Sequence, residues 1–319
     1  MKKTITVFGA TGTAGSACVD ELLLQGVFQP RVLVRKSGQE EKTSGLVQKA
    51  ADEKQRLYDR WTSRGVEIRE ANATEQTDLI PALKGTDYLV SCVPYSATES
   101  QYPLIWAAKE AGVERFVPSE FGFIYEWEQF WPTDTSHRQM ARQKAFIRRV
   151  IELAGLDWTI IPAGLWPEYY MLEPVCVHGD GKQKVSWSTG RDVGRIIPHV
   201  LAHPASRNAI CPVAATAYLS WDEMLAARER FLGRRVERLY MDSATFRAAY
   251  AQNSSPLTEV LMGIGVAATE CPEGMPLWAN WNAMHLPDFR GMELDVLFRD
   301  VVEPFVAATM AGLAAAVGG

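Results

Sequence analysis

Short apolar runs and longer mixed segments alternate along the first half of the chain. Residues 4–8 are a short apolar run, followed by glycines and then by residues 16–25 with helical spacing. Residues 31–35 form a second run, and the polar, charged stretch 37–64 predicts a loop and then a solvated helix. Residues 66–69 predict a third strand, and 79–84 a short helix closed by Gly85. Residues 87–93 are nearly continuous in apolar side chains, as a parallel strand covered on both faces must be. A helix over 103–111 with a stop at Gly112 and a fifth strand over 114–118 complete the run. Strand and helix in this alternation predict an α/β fold, a Rossmann doubly wound parallel sheet.

The rhythm then changes. Residues 123–136 are dense in aromatics without a helical or strand period. A helix over 137–154 and a sixth strand over 157–162 follow, and beyond residue 163 short strands and helices mix, with glycine-rich breaks at 179–181 and 190–194. The expected organisation is a dinucleotide-binding domain over 1–162 and a smaller α+β C-terminal substrate lobe over 163–319, with an approximate boundary that the chain crosses more than once.

Composition narrows the function classes. Of 319 residues 47% are hydrophobic and 22% charged, and the net charge of −5 offers no nucleic acid a basic surface. The five cysteines contain no C-x-x-C pair and predict a reduced, cytoplasmic protein. No apolar run reaches the ~18 to 20 residues of a membrane span, and the start of the chain reads as a first strand rather than a signal peptide. A monomer or a homodimer is expected, with a small molecule as partner and no membrane.

The candidate chemistry begins at Gly9-x-x-Gly12-x-x-Gly15. A glycine turn between a first strand and a first helix sets backbone N–H groups and the helix N-terminus against a diphosphate. Thr11, Thr13 and Ala14 belong to that cradle, and Val93, Pro94 and Ser119, after the fourth and fifth strands, are expected along the same cofactor. NAD enzymes place a carboxylate about 20 residues past the glycines to hold the ribose 2′-hydroxyl. Here Arg35-Lys36-Ser37 occupies that place, with no acid before Glu40. A guanidinium holds a 2′-phosphate bidentately where a carboxylate would repel it, so the cofactor expected is NADP(H).

The segments 9–15 (Gly-Ala-Thr-Gly-Thr-Ala-Gly), 34–36 (Val-Arg-Lys), 113–122 (Val-Glu-Arg-Phe-Val-Pro-Ser-Glu-Phe-Gly) and 144–152 (Lys-Ala-Phe-Ile-Arg-Arg-Val-Ile-Glu) resemble the isoflavone reductase-like group of atypical short-chain reductases, within the NmrA-like family. The resemblance covers most of residues 1–200 and fades beyond. It implies NADPH-dependent reduction of an aromatic or phenolic small molecule, with Lys144 matching the group's general acid/base in place of a Tyr-x-x-x-Lys pair. None of the ten tyrosines here has a lysine four residues later. Asn72 replaces an acid that many relatives keep, and the loop after Gly122 lacks the group's asparagine–aspartate continuation.

Lys144 would act beside an apolar pocket that eases release of its proton, close to the cofactor. His137, just ahead of the same helix, is a second proton carrier. Phe121 would pack on the cofactor, and Glu120 would hold the loop. Phe123, Tyr125, Trp127, Trp166, Tyr169 and Tyr170 are candidates to line a pocket for an aromatic ring. His199-x-x-x-His203 has the spacing of a helical metal pair but no evident third ligand, so both histidines are read as structural and no metal is expected. The functional reading is a reductase acting on a carbonyl, quinone methide, benzylic ether or conjugated alkene; the alternative is an NADP(H)-binding redox sensor without turnover.

Overall fold

The computed structural model describes residues 2–36, 45–124, 136–252, 256–270 and 280–317. The chain divides into two compact units, each assembled from three segments: residues 1–120, 146–161 and 190–211 in the first, and 121–145, 162–189 and 212–319 in the second.

The first unit is built on strands β1 (Thr4–Phe8), β2 (Gln29–Arg35), β3 (Glu67–Ala71), β4 (Tyr88–Ser91), β5 (Arg115–Val117) and β6 (Asp157–Ile160). They lie in the order β3-β2-β1-β4-β5-β6, all parallel, and the two-residue strand Ala209–Ile210 extends the sheet beyond β6. The order reverses between β1 and β4, which opens a crevice at the carboxyl ends of those strands. Helices α1 (Thr13–Gln25), α2 (Gly45–Thr62), α3 (Gln76–Leu83) and α4 (Gln101–Ala111) connect them, and α5 (Ser136–Leu153) leads into β6. Because the sheet is parallel and its inner strands are covered on both faces, their cores are apolar: Ile5, Val7, Val32, Leu89 and Phe116 are fully buried, whereas the edge strand β3 is mostly polar and only partly buried. One apolar layer joins Phe8, Leu33, Leu83, Leu104, Phe116 and Ile151.

Two expectations are corrected here. Helix α1 begins at Thr13 rather than after the glycines, so Gly15 is helical. The glycine-rich stretch at 190–194 is not a break: it opens helix α6 (Gly190–Ala202), which packs along α1. A Cβ on Gly194 would overlap the carbonyl oxygen of Ala14 and stand 2.7 Å from the Ala17 Cβ, so glycine serves helix contact there, not a turn.

In the second unit, strands Lys184–Trp187 and Ala217–Ser220 pair antiparallel, and Val175–His178 and Arg238–Met241 pair in parallel. Phe123, Leu165, Met171, Val177, Trp187, Trp221 and Phe298 share its core. Helix α7 (Trp221–Leu232) starts on a capping box, with Glu223 N–H donating to Ser220 Oγ at 3.1 Å and Ser220 N–H to Glu223 Oε2 at 2.7 Å. The fully buried Arg228 donates to the Glu303 carboxylate at 2.8 Å and to the Met171 carbonyl at 2.6 Å, the pairing a buried charge requires. No described helix is long and apolar enough to cross a membrane.

Candidate functional site

At Gly9 the backbone takes φ +79°, and a Cβ would sit 2.6 Å from the Cys92 carbonyl oxygen at the end of β4. At Gly15 a Cβ would overlap the Gly9 carbonyl and stand 2.8 Å from Ala10 Cα. Both glycines are therefore demanded by the protein's own packing. Gly12 is not: its φ of −76° and ψ of 166° suit any residue, and a Cβ would meet only the Gly9 oxygen at 3.5 Å, ordinary contact. Gly12 and Thr13 are exposed, and Ser16 N–H makes the first helical bond to the Gly12 carbonyl at 2.8 Å. The N–H groups ahead of it, on Thr13, Ala14 and Gly15, precede the helical ladder and point out of the helix end. No acidic residue stands in the first turn of α1. These are the terms on which a diphosphate binds: free donors, a positive helix end, and a glycine that leaves room for phosphate oxygens.

At the end of β2 the two basic residues part company. Lys36 N–H continues the ladder to the Ala71 carbonyl at 3.2 Å, and its ammonium pairs with Asp78, whose carboxyl is held below its ordinary pKa by that hydrogen bond. Asn72 N–H also donates to Asp78, at 3.3 Å, while its side-chain oxygen accepts from the Thr74 N–H and hydroxyl at 3.1 and 2.9 Å. Arg35 is exposed, and no carboxylate pairs with it among the described residues. Lys36 is thus held by Asp78, and Arg35 offers the guanidinium.

The ends of β4 and β5 are tied together. Ser119 Oγ donates to the Val93 carbonyl at 2.6 Å, and Ser119 N–H to the buried Gln101 side chain at 2.9 Å. Pro94, exposed, leads into the six-residue 3-10 segment Tyr95–Ser100 that follows β4. Glu120, 1% exposed, takes Arg148 of α5 in a forked ion pair at 2.5 to 3.2 Å, so it secures this loop. His199 meets Glu21 at 2.9 Å and His203 Nδ1 accepts from Ala205 N–H at 3.2 Å, so both histidines have protein partners.

On α5, Ala141, Lys144, Ile147 and Ile151 follow the helical period and are buried, whereas Arg142 and Arg149 are exposed. Lys144 is 6% exposed and so does not belong to the basic surface of this helix. The side chain of His137 lies outside the described residues, as do Tyr125 and Trp127. Phe121 is buried and its carbonyl accepts from Trp166 Nε1 at 3.1 Å. Phe123 lies in the core of the second unit. Trp166 stacks with Tyr169 at 6.3 Å between centroids, and Tyr169 meets Phe305 edge-on at 5.2 Å. Glu168, between them in sequence, escaped sequence reasoning: burial pushes its carboxyl up to about 7, and its Oε2 has no hydrogen-bond partner among the described residues. A lone glutamate in an aromatic stretch carries no signal of such burial.

The model of the NmrA-like family matches residues 1–265. The chain is 28% identical over 268 residues to an isoflavone reductase of Medicago sativa, covering 79% of this chain and 83% of that one. It is 26% identical over 274 residues to phenylcoumaran benzylic ether reductase 1 of Arabidopsis thaliana, covering 82% and 84%. Among solved structures, that of an isoflavone reductase aligns over 94% of this chain and 99% of its own with a TM-score of 0.78 at 24% identity. A leucoanthocyanidin reductase from Vitis vinifera, in complex with NADPH, aligns over 94% and 99% with a TM-score of 0.74 at 21% identity. At these identities the solved structures speak to the fold.

Proposed function

The chain belongs to the NmrA-like family, and from that premise we propose that it is an NADPH-dependent oxidoreductase that reduces a small aromatic molecule, phenolic or polyketide-like. The observation that carries the reading is Gly12, a glycine that neither backbone conformation nor internal packing explains, set at a helix end with free N–H donors. The relatives named isoflavone reductase and phenylcoumaran benzylic ether reductase support an aromatic substrate.

NADPH, when bound, supplies a hydride to an electrophilic carbon, whether of a carbonyl, quinone methide, benzylic ether or conjugated alkene. The rest falls to the chain's own residues. The N–H groups of Thr13, Ala14 and Gly15 hold the diphosphate, and Arg35 takes the 2′-phosphate. Lys144 gives a proton to the substrate oxygen that gains charge or departs, and its burial among apolar neighbours on α5 supports that role. Trp166, Tyr169 and Tyr170 supply aromatic surface for the ring.

Titration of intrinsic tryptophan fluorescence should show NADPH binding at least ~10-fold tighter than NADH, about 1.4 kcal/mol, with Arg35→Ala removing most of the difference. Equal affinities in the unaltered chain would refute the cofactor assignment. NADPH oxidation against phenolic ketones, enones and benzylic ethers then tests turnover. Tight NADPH binding with no oxidation across the panel would replace the reductase by a redox sensor.

A further inference from the structure

The loop that follows β5 is pinned on both sides of one buried carboxylate. Ser119 Oγ donates to the Val93 carbonyl at 2.6 Å and Ser119 N–H to the Gln101 side chain at 2.9 Å, so the backbone entering Glu120 is tied to the end of β4 and to the first residue of α4. Glu120 N–H turns back to the Pro118 carbonyl at 2.8 Å. From this fixed point the Glu120 side chain, with no exposed surface, meets Arg148 of α5. Arg148 Nε donates to both carboxylate oxygens, at 3.2 and 3.0 Å, and an Nη donates to Oε2 at 2.5 Å. The Arg148 side chain is itself only 11% exposed, so little water is at hand to replace these bonds. Arg148 stands four residues after Lys144 on one continuous helix, and positions four apart lie one above the other on the same helical face.

A buried ion pair is a poor source of stability, because desolvating two charges offsets most of their attraction. What a forked guanidinium–carboxylate pair adds over an apolar contact is geometry: two planar groups fix both the separation and the rotation of the elements that carry them. Lysine has the opposite character, a point charge on a flexible four-carbon stem, and proton transfer tolerates little misplacement. The root of such a stem has to be held. We propose that Glu120 and Arg148 are positioning residues for the reduction, setting the rotation and depth of α5 from which Lys144 reaches the substrate oxygen. The inference rests on the proposed role of Lys144 and deepens it: the proton donor is placed by an ion pair one helical turn away, anchored at the end of β5.

The pair is tested against its own apolar replacement. The double variant Glu120→Leu/Arg148→Met keeps most of the bulk and removes both charges. Its urea midpoint should match or exceed that of the unaltered chain, and its NADPH affinity should stay within about threefold. Turnover is followed with the phenolic ketone, enone or benzylic ether that the unaltered chain reduces fastest; kcat should fall ~10-fold or more while KM changes by less than about threefold. Arg148→Lys, a milder change that keeps the charge and loses the fork, should lower kcat in the same way and carries the test should the double variant not fold. The decisive readout is coupling. In a Lys144→Ala background Arg148→Lys should leave kcat within about twofold, since no ammonium is left to place. Full turnover in Arg148→Lys, or an equal fold-loss with and without Lys144, would reduce the pair to fold stability and overturn the proposal. Normal turnover in Lys144→Ala, or no turnover of any compound by the unaltered chain, would instead remove the reading it rests on, and the proposal with it.

Discussion

At the scale of the residue, three glycines of one motif separate into two kinds. Gly15→Ala places a methyl against the Gly9 carbonyl and the Ala10 Cα, both backbone. It should lower stability by about 1–3 kcal/mol, although alanine is the better helix former. Gly12→Ala meets only ordinary contact, so its urea midpoint should stay within error or rise slightly while NADPH affinity falls ~10-fold or more. The idea fails if both variants lose stability alike, or if Gly12→Ala keeps its affinity. Lys144 carries the chemical prediction: Lys144→Ala should leave NADPH affinity within about threefold and lower turnover by ~10²-fold or more. Lys144→Arg should not restore it, because a guanidinium keeps its proton near neutral pH. An arginine variant with near-normal turnover would reduce Lys144 to a charge that orients substrate. At this scale the sequence made the glycine spacing and the basic pair legible. It could not tell Gly12 from its neighbours, nor show that Lys36 is spent on Asp78, because both depend on what lies across the strand ends.

At the scale of the element, five strands of the first unit stand where the apolar runs place them, since a parallel strand buried on both faces writes its burial directly into composition; the partly buried edge strand β3, Glu67–Ala71, is legible instead from its place in the alternation of strands and helices. The seventh, Ala209–Ile210, is two residues long and leaves no periodicity to read. Helix α6 was misread for a different reason. Glycine in a sequence announces a turn or a close approach with equal force, and only the partner helix decides between them. Gly194→Ala would press a methyl into the Ala14 carbonyl and the Ala17 side chain. Stability should drop by about 1–3 kcal/mol, seen as a lower urea midpoint with an unchanged slope. A neutral or stabilising outcome would mean that α1 and α6 stand farther apart than described here. The candidate pocket aromatics show the limit of pattern reading: Phe123 goes to a core, Trp166 to a backbone carbonyl, and Tyr169 and Tyr170 to a cavity. Residue type alone does not sort such rings into packing and lining.

At the scale of the whole molecule, two buried groups tilt stability in opposite directions with pH. His178, with its pKa at about 3 in the fold and 6.5 otherwise, is neutral where the unfolded chain takes up a proton. Its contribution is intact above about pH 6.5 and is lost as pH falls towards 3. Glu168, held at about 7 against an ordinary 4.5, keeps a proton that the unfolded chain gives up. Its contribution is intact below about pH 4.5 and is lost as pH rises through 7. Between roughly pH 4.5 and 6.5 the two slopes offset each other. Glu168→Gln should therefore gain on the unaltered chain above neutrality, by about 3 kcal/mol at pH 8, and show little difference at pH 4.5. A gain of the same size at both values would mean that lost packing or hydrogen bonding, rather than the proton, sets the effect. Neither group was visible beforehand, because burial of a lone histidine or glutamate is decided by distant segments. The division of the chain into interleaved units has a consequence for its birth on the ribosome. The sheet of the first unit runs from Thr4 to Ile210, and α6, which packs on α1, is also among the later parts to be made. The N-terminal part of that sheet thus waits, with the α1 face uncovered, until residue 210 has been synthesised. Chaperone demand during translation should fall on that interval, long after the cofactor turn itself has emerged.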